Sequence, residues 1–517
     1  MDPLRNIMRP TCGHRILFVV GGSSITAYQG LAPEFSAIEP TPWALLLASA
    51  VRKLGHDPLI IDLDAAPMTR EELSMFVSDQ KVSLVVMVVY GQNPNAGTTS
   101  MIGATRTARE LKQDLPDLKI CFIGSHASAL PFEVISLPFV DFVFINEGVL
   151  GLEALLQTDF RTHLEKVPGL WFKSSQGSPS RGGVGVLVAQ RDMDKVMPGY
   201  AWDLLPKRDT ILDRYRAHFW HTNFINKNRT PFASIYTSLG CQFGCNFCMI
   251  NVVNRTDHSD GVTAADSRGM RFWSPEWVLA QFRALAEMGI KNIRIADEMF
   301  FLNKKYYVPI LEGIVRAGYA FNLWAYARVD SVRPDQLALF KAAGVNWLAL
   351  GIESGNTQVR MEIDKGRFKQ VDIREIVSAI KASGIYVLGN YMFGFPNETI
   401  DSMKETLDLA LELNCEHANF YAATALPGSP LYEYARTNQW ELPTSYEEFA
   451  FLSYRSKPLP TKHLSARDVL AFRDQAWQTY FTNPSYLSLI QKTFGEEAKH
   501  GVEKMASVPL RRQLLGH

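Results

Sequence analysis

Short, nearly continuous apolar runs alternate with helix-length segments through the first third of the chain. The runs are rich in β-branched residues, and the segments between them have the apolar spacing of amphipathic helices. Strands that are apolar on both faces need helices on both sides, so the alternation predicts a parallel sheet in an open, doubly wound α/β domain. The predicted strands are 15–20, 58–61, 83–89, 119–124 and 141–145, and the predicted helices are 41–55, 69–79 and 98–113.

Small and polar residues follow these strands. Ligands of doubly wound sheets bind beyond the carboxyl ends of the strands. Glycine, serine, threonine and asparagine there favour close backbone approach and hydrogen bonding over acid–base chemistry. The pair Gly21-Gly22 is not a GxGxxG fingerprint, so a nicotinamide cofactor has little support. Ordinary surface loops are the alternative interpretation of these segments.

The alternation resumes after Pro231, with strands predicted at 232–238, 292–297, 321–328, 346–354, 386–395 and 417–424. Clear helices lie at 274–289, 372–384 and 399–413, the first with Ser274 as its N-cap and Pro275 at its first position. Six strands with helical crossovers do not easily close an eight-stranded barrel, but they form a curved partial one. We expect its chemistry at the carboxyl ends of the strands.

Between the two alternating regions lies a stretch of mixed character. Residues 174–186, SSQGSPSRGGVGV, predict a turn or hairpin, and a proline-bounded segment follows at 198–209. We therefore predict an amino-terminal doubly wound domain at 1–165, a linker region at 166–228 and a partial (β/α)6 barrel at 229–435. The aromatic-rich remainder, 436–517, is predicted to be a mostly helical extension.

The stretch GCQFGCNFC, residues 240–248, holds three of the six cysteines of the 517-residue chain. It follows the first barrel strand. Structural zinc needs four ligands, and no suitable fourth is evident nearby. Six scattered cysteines do not form a secreted disulfide framework, so a reducing cytoplasm is the expected location. Three thiolates holding a [4Fe-4S] cluster would leave one iron open for a ligand.

The spacing of Cys241, Cys245 and Cys248, with Phe247 before the last cysteine, resembles the signature of radical S-adenosylmethionine (SAM) enzymes. The resemblance implies a [4Fe-4S] cluster whose open iron chelates SAM, and reductive cleavage of SAM to methionine and a 5′-deoxyadenosyl radical. It implies SAM contacts at Phe247, Asp297, Glu298, Arg328, Glu353, Ser354 and Gly394.

Structural roles are the alternative at these positions. Phe247 then belongs to the core, Asp297 and Glu298 cap a helix, Arg328 pairs with Glu353, and a turn requires Gly394.

The amino-terminal domain is similar to the cobalamin-binding domain of cobalamin-dependent radical SAM enzymes. Stretches that carry this resemblance include LASAVRKLGHDPLIIDLD, GSHASALPFEVI and FINEG, with GFPNET and LPGSPLYEYA in the second half. The cobalamin motif D-x-H-x-x-G is absent, because the corresponding loop is Ser24–Gly30. The resemblance therefore implies a corrinoid without a histidine lower ligand, held by backbone and small polar groups. The implied cobalamin contacts are Gly22, Ser23, Gly91, Gly124, Ser125, His126, Glu147 and Gly148. A histidine such as His126 is more often a satisfied loop residue than a ligand.

These resemblances predict a cobalamin-dependent methyltransferase that methylates an unactivated carbon, or phosphorus, of an unknown small-molecule or peptide substrate. A cobalamin-dependent rearrangement or cyclisation without methyl transfer is the second hypothesis, and a non-catalytic corrinoid or zinc carrier is the third. Radical chemistry implies an external electron donor such as a flavodoxin or ferredoxin. Lys+Arg and Asp+Glu are equal at 53 each, so no net charge points to nucleic acid, and no apolar run predicts a membrane span.

Overall fold

The computed structural model describes residues 13–257, 264–363 and 372–517, which leaves the first twelve residues of the predicted segment 1–165 outside the description. The chain forms two compact units. Unit 1 contains the described residues up to Ser23, then Thr41–Pro206 and Met249–Arg271; unit 2 contains Ser24–Pro40, Lys207–Cys248 and Phe272–His517. This division differs from the limits predicted from the sequence at 165, 228 and 435. The reason is that residues 24–40 belong to unit 2 and residues 249–271 to unit 1, and not to the unit of the residues that flank them in sequence.

The elements have the following bounds. The strands are β1 Arg15–Val20, β2 Asp57–Asp62, β3 Leu84–Val89, β4 Lys119–Gly124, β5 Phe142–Phe144, β6 Leu170–Lys173, β7 Pro179–Arg181, β8 Phe232–Ile235, β9 Ser238–Cys241, β10 Gly269–Phe272, β11 Asn292–Ile295, β12 Asn322–Arg328, β13 Val345–Glu353, β14 Tyr386–Phe393 and β15 His417–Ala422. The helices are α1 Ser24–Tyr28, α2 Pro42–Lys53, α3 Arg70–Asp79, α4 Gly97–Asp114, α5 Ser125–Ala129, α6 Pro131–Ser136, α7 Val149–Leu155, α8 Met193–Val196, α9 Pro275–Glu287, α10 Lys304–Ala317, α11 Leu337–Ala342, α12 Thr357–Glu362, α13 Ile373–Ala382, α14 Ile400–Leu413, α15 Pro430–Thr437, α16 Ala466–Phe481, α17 Pro484–Phe494 and α18 Glu496–Ser507.

Unit 1 is built on a seven-stranded sheet of order β2-β1-β3-β4-β5-β6-β7. Strands β1 to β5 pair in parallel, and β6 and β7 add an antiparallel hairpin at one edge. All six residues of β3 are buried, as expected for a central strand covered on both faces. The doubly wound domain predicted from the alternation is confirmed, and the hairpin turn falls inside the predicted segment 174–186.

Unit 2 contains a six-stranded parallel sheet of order β15-β14-β13-β12-β11-β8, which confirms the predicted partial barrel. The base of its inner face is filled by Trp220, whose ring lies 5.1 Å from Trp324, 4.9 Å from Trp347 and 5.9 Å from His417. Because side chains alternate along a strand, these contacts identify which residues of β12, β13 and β15 face inward. Helices α16, α17 and α18 form the predicted helical carboxyl-terminal part.

The segment 24–40 is fixed within unit 2 by two arginines. Arg216 donates to the carbonyl oxygens of Ala32, Pro33 and Ser36. Arg229 donates to those of Glu34, Phe35 and Ser36. Carbonyl groups outside regular structure need such partners when they are buried, so the two guanidinium groups hold this irregular stretch in one conformation.

Among the described residues, no helix has the length and the apolar composition needed to cross a membrane.

Candidate functional site

The cysteine loop begins where β9 ends in unit 2. Cys241, Cys245 and Cys248 are half-buried and carry reduced thiols rather than disulfides. The Phe243 N–H donates to Cys241 Sγ at 3.4 Å, and the Cys248 N–H donates to the Cys245 carbonyl at 3.1 Å. Burial raises the pKa of the Cys241 thiol to about 12, so a bound cation is needed to keep it as a thiolate at neutral pH.

The donor set of this loop fits an iron–sulfur cluster. Within the described ranges, no three histidine, cysteine or acidic side chains are grouped to hold a single metal ion. In a [4Fe-4S] cluster, each cysteine thiolate instead binds a different iron. The three thiols therefore need not converge on one point. The backbone N–H directed at Cys241 is the kind of hydrogen bond that tunes such clusters.

Asp297 and Glu298 follow β11 and have different surroundings. Asp297 is buried and accepts hydrogen bonds from the Thr237 N–H, the Thr237 hydroxyl and the Ser238 hydroxyl, at 2.6, 2.6 and 2.5 Å. Burial raises its pKa to about 6, and these donors oppose the rise. Its carboxylate thus anchors the start of β9, just before the cysteine loop. Glu298 is half-buried, burial raises its pKa to about 7, and its Oε1 has no hydrogen-bond partner among the described residues.

Arg328 ends β12 next to the cysteine loop. It makes a bidentate ion pair with Asp330, with two N–O distances of 2.9 Å. Its guanidinium carbon lies 3.9 Å from the centre of the Phe243 ring, within the range of a cation–π interaction. Phe243 and Asp330 are thus two partners of Arg328 that the sequence analysis did not predict. An aromatic residue inside the cysteine loop was the available signal for the first.

Glu353 ends β13 in a strained conformation. It is buried with φ of 66°, and the Ser354 N–H closes a three-residue turn by donating to the Ile352 carbonyl at 2.9 Å. A non-glycine residue in this region costs about 1–3 kcal/mol and persists where the surroundings impose it, often at functional sites. The Ser354 hydroxyl lies 3.1 Å from the Thr406 hydroxyl and accepts from the Asn356 N–H, so this serine is held by protein partners.

Phe247 belongs to the cysteine loop, and Gly394 directly precedes Phe395, whose ring neighbours that of Phe247. The Phe247 ring is 5.8 Å from Phe395 and packs against a buried apolar cluster. Gly394 has φ of 91°, and its N–H donates to Glu398 Oε2 at 2.7 Å. A β-carbon at Gly394 would lie 2.4 Å from a methyl group of Val469, so both the turn and the packing require glycine here.

In unit 1, the predicted cobalamin contacts lie at the carboxyl ends of β1, β3, β4 and β5. The Gly22 carbonyl accepts from Arg106 at 2.9 Å, and the Ser23 hydroxyl accepts from the Gly103 N–H at 3.0 Å. A β-carbon at Gly91 would lie 2.8 Å from the Ser100 hydroxyl. The β-carbons added at these glycines would meet the protein's own atoms, so close packing at this edge of the sheet requires glycine.

The residues after β4 are bonded within the protein. A β-carbon at Gly124 would lie 2.3 Å from the Val89 carbonyl, and the buried Ser125 hydroxyl donates to the Pro94 carbonyl. His126 is 1% exposed; its Nδ1 is 3.1 Å from the Thr98 hydroxyl and its Nε2 is 3.3 Å from Glu133. Both ring nitrogens of His126 therefore have protein partners.

Glu147 connects the main part of unit 1 with residues 249–271, a segment of the same unit that is distant in sequence. Its buried carboxylate lies 2.6 Å from Arg271 and also accepts from the Val188 N–H, while burial raises its pKa. Gly148 donates to Asn146 Oδ1 at 2.9 Å, and Asn146 Nδ2 in turn donates to the Arg255 carbonyl at 3.2 Å. The roles of Arg255 and Arg271 were missed, because nothing in their local sequence indicates partners more than a hundred residues away.

The structure thus gathers the predicted SAM contacts and the three cysteines in unit 2, and the predicted cobalamin contacts in unit 1. The Radical SAM superfamily model matches residues 235–410, and the B12 binding domain model matches residues 28–156.

Three known proteins illustrate the similarity. An uncharacterized methyltransferase of Pyrococcus horikoshii is 27% identical over 447 residues, which cover 85% of this chain and 87% of that protein. The anaerobic magnesium-protoporphyrin IX monomethyl ester cyclase of Cereibacter sphaeroides is 22% identical over 448 residues, 83% of this chain and 66% of the cyclase. The solved radical SAM methyltransferase TsrM from Kitasatospora setae, with cobalamin and a [4Fe-4S] cluster bound, shares the fold with a TM-score of 0.64 at 16% identity, covering 96% of this chain and 99% of TsrM.

Proposed function

Because this chain belongs to the radical SAM superfamily and carries a B12-binding domain, we propose that it transfers a methyl group to an unactivated carbon, or to phosphorus, of a small-molecule or peptide substrate. It is a cobalamin-dependent radical SAM enzyme whose cofactors are a [4Fe-4S] cluster, SAM and cobalamin. When bound, the cluster and SAM supply one-electron reductive chemistry, and the corrinoid supplies methyl-group transfer.

One observation carries the choice of methyl transfer. The alignment with the Pyrococcus methyltransferase spans 85% of this chain, and thus reaches both the B12-binding and the radical SAM regions. A simple radical SAM enzyme would not need a second, doubly wound unit with glycines at its strand ends.

The residues of unit 2 have distinct tasks in this proposal. Cys241, Cys245 and Cys248 would hold the cluster, leaving one iron for the amino and carboxylate groups of SAM. Asp297 fixes the strand that leads into the loop through its bonds to Thr237 and Ser238. Glu298 presents a carboxyl group that burial shifts towards the protonated form near neutral pH.

Other rim residues would orient SAM. Arg328, held by Asp330 and by the Phe243 ring, offers a fixed positive charge. Glu353 is fixed by its strained turn, and Phe247 and Gly394 bring the backbone of two neighbouring loops close to the rim.

Unit 1 would bind the corrinoid through the strand-end backbone near Gly22, Gly91 and Gly148. His126 is bonded to Thr98 and Glu133, so it does not offer a free nitrogen as lower ligand. We further propose an external one-electron donor such as a flavodoxin or ferredoxin, and a cytoplasmic location.

The test is product analysis with trideuteromethyl SAM. Protein with reconstituted cluster and bound cobalamin is incubated with a reductant and a metabolite extract of the source cells. We expect a product that carries the label, with S-adenosylhomocysteine and 5′-deoxyadenosine formed in comparable amounts. The variant that lacks all three loop cysteines is the matched control and should give neither nucleoside product.

Cyclisation without methyl transfer is the second candidate, because relatives named as magnesium-protoporphyrin ester cyclases align over most of the chain. Their identity of 22% is below the 27% of the methyltransferase. Substrate-dependent 5′-deoxyadenosine without S-adenosylhomocysteine and without label transfer would favour cyclisation.

A further inference from the structure

The chain leaves unit 2 immediately after the cysteine loop. Cys248 is the last residue of its part of unit 2, and the next residue, Met249, begins a segment of unit 1 that extends to Arg271. Residues 249–257 and 264–271 of this segment lie in the described part of the chain. One of the three predicted cluster ligands is therefore joined directly, by a peptide bond, to a segment that packs in unit 1.

The first contact of the segment 249–271 is with the loop that follows β3. Met249 is fully buried, and its N–H donates to Asn95 Oδ1 at 2.9 Å. Asn95 lies in the short turn Pro94–Ala96 between β3 and α4, in the same loop as Gly91, a predicted corrinoid contact. A buried N–H outside regular structure needs an acceptor, so Asn95 fixes the direction in which the chain leaves Cys248.

Two arginines attach the rest of the segment to the loops after β4 and β5. The buried guanidinium of Arg255 donates to the Ser128 carbonyl, and the Arg255 carbonyl accepts from Asn146 Nδ2 at 3.2 Å. Arg271 lies 2.6 Å from the buried carboxylate of Glu147. The segment is thus bonded to the residues beyond β3, β4 and β5, three of the four strands whose ends carry the predicted corrinoid contacts.

The two described parts of the segment are also bonded to each other. Arg271 Nη2 donates to Asn254 Oδ1 at 3.0 Å, and Asn254 Nδ2 donates to the Gly269 carbonyl at 2.9 Å. Because these bonds join the two ends of the segment, its contacts with the three strand ends are held together and support one another.

We infer that the segment 249–271 couples corrinoid binding in unit 1 to the order of the cysteine loop in unit 2. This inference rests on the proposed function, because it assigns a regulatory link to two cofactor sites of the same enzyme. Loops beyond the strands of a sheet open locally more easily than the strands themselves. A ligand that binds only the ordered form of these loops stabilises that form. It therefore also stabilises the segment bonded to them and the path of the chain at Cys248.

The test measures the stability of the cluster with and without bound cobalamin. The full chain with its reconstituted cluster, without SAM, is exposed anaerobically to an iron chelator, and the absorbance of the iron–chelator complex is followed. We expect bound hydroxocobalamin to slow the release of iron about fivefold, which is a typical size for coupling between two sites. Equal rates in the two forms, with cobalamin bound in one of them, would overturn the inference.

Matched variants in the loop after β3 test whether the segment carries the coupling. Asn95→Ala removes the acceptor of the Met249 N–H, so the effect of cobalamin on iron release should fall from about fivefold to almost none. Asn95→Asp keeps an acceptor oxygen and should retain the effect. The control is Asn93→Ala, which should behave like the native protein, because Asn93 Oδ1 has no hydrogen-bond partner among the described residues.

A purely structural role of Asn95 would give a different result. It would change iron release by the same factor in both forms, so their ratio would stay at the native value, and that outcome would overturn the inference. If Asn95→Ala does not hold cobalamin and cluster, Arg271→Gln, which breaks the ion pair with Glu147, is judged by the same ratio. Native protein that binds no cobalamin would refute the proposed function and the inference with it, whereas binding without coupling would refute the inference alone.

Discussion

Glu39 and Arg294 form an ion pair in the interior of unit 2, with 2.8 Å between Oε2 and Nη1. The two side chains are 3% and 1% exposed, and His218 lies 2.8 Å from the other carboxylate oxygen. Burial alone would raise the pKa of Glu39, but the charge of Arg294 and the hydrogen bond with His218 lower it to about 2. The segment 24–40 is therefore bound to the sheet through a buried ion pair. No solvent is present there to take the place of either partner.

Removal of this carboxylate should destabilise unit 2 strongly. Glu39→Gln leaves Arg294 buried without its counter-ion, which typically costs about 3–5 kcal/mol. The control is Glu34→Gln on the same segment, whose ion pair with Lys504 is exposed and worth at most about 1 kcal/mol. Urea unfolding of the two variants measures the difference. Similar losses in both would contradict the role assigned to the buried pair.

Gly394→Ala should be more destabilising than an alanine at another glycine with a similar backbone angle. Gly289 has φ of 75° and no neighbour within 4 Å of an added β-carbon, whereas the β-carbon at Gly394 meets Val469 at 2.4 Å. Gly289→Ala should cost about 1 kcal/mol from the backbone alone. Gly394→Ala should cost about 1–3 kcal/mol more, as overpacking does. Adding Val469→Ala should recover part of that excess in thermal unfolding, and no recovery would argue against the clash.

Glu398 should make the protein less stable as pH rises. Burial raises its pKa from 4.5 to about 7, although the N–H groups of Gly394 and Phe395 oppose the shift. Between these values the folded protein keeps a proton that the unfolded chain releases, so this contribution to the unfolding free energy falls from pH 4.5 to 7 and is constant above.

The matching variant is Glu398→Gln, which cannot ionise. Urea unfolding at mildly acidic and at mildly alkaline pH gives the free energy of unfolding of the variant and of the native protein. The difference, variant minus native, should be about 3 kcal/mol more favourable to the variant at alkaline pH than at acidic pH. A constant difference across pH would contradict the raised pKa.

The strands and helices could be predicted because their periodicity is local. The predicted strand 321–328 and helix 372–384 differ from Asn322–Arg328 and Ile373–Ala382 by a few residues at most. The cysteine loop could be identified for the same reason, since its spacing lies within nine residues.

Pairs that join distant parts of the chain could not be predicted. Arg271 and Glu147 are 124 residues apart, and Glu39 and Arg294 are 255 apart, so no periodicity or spacing relates them. The assignment of residues 24–40 to unit 2 and of residues 249–271 to unit 1 depends on such pairs and was missed. Asp297 was expected at the rim, but its bonds to Thr237 and Ser238 arise only when β8 and β11 lie side by side.

Replacement of His126 should not change the coordination of cobalamin. Both ring nitrogens are bonded within the protein, and the side chain is 1% exposed. His126→Gln should therefore retain bound cobalamin with the absorption spectrum of the native protein, as should the control His163→Ala, which changes an exposed histidine. A spectral change in the first variant alone would show that His126 does coordinate the corrinoid.

Substitution of the loop cysteines should abolish the iron–sulfur cluster, whereas substitution of a buried cysteine elsewhere should not. Cys241, Cys245 and Cys248 are half-buried in a loop with a backbone N–H directed at one sulfur, while Cys415 is fully buried and burial raises its pKa to about 12. After anaerobic reconstitution, the native protein and Cys415→Ala should hold about four irons per chain and show the brown absorption of a [4Fe-4S] cluster. The triple alanine variant should hold almost none and should not cleave SAM, because thiolates are the ligands that such clusters require. Iron retained in the triple variant, with cobalamin content unchanged, would place the cluster on other residues and would remove the basis of the radical chemistry proposed for this loop.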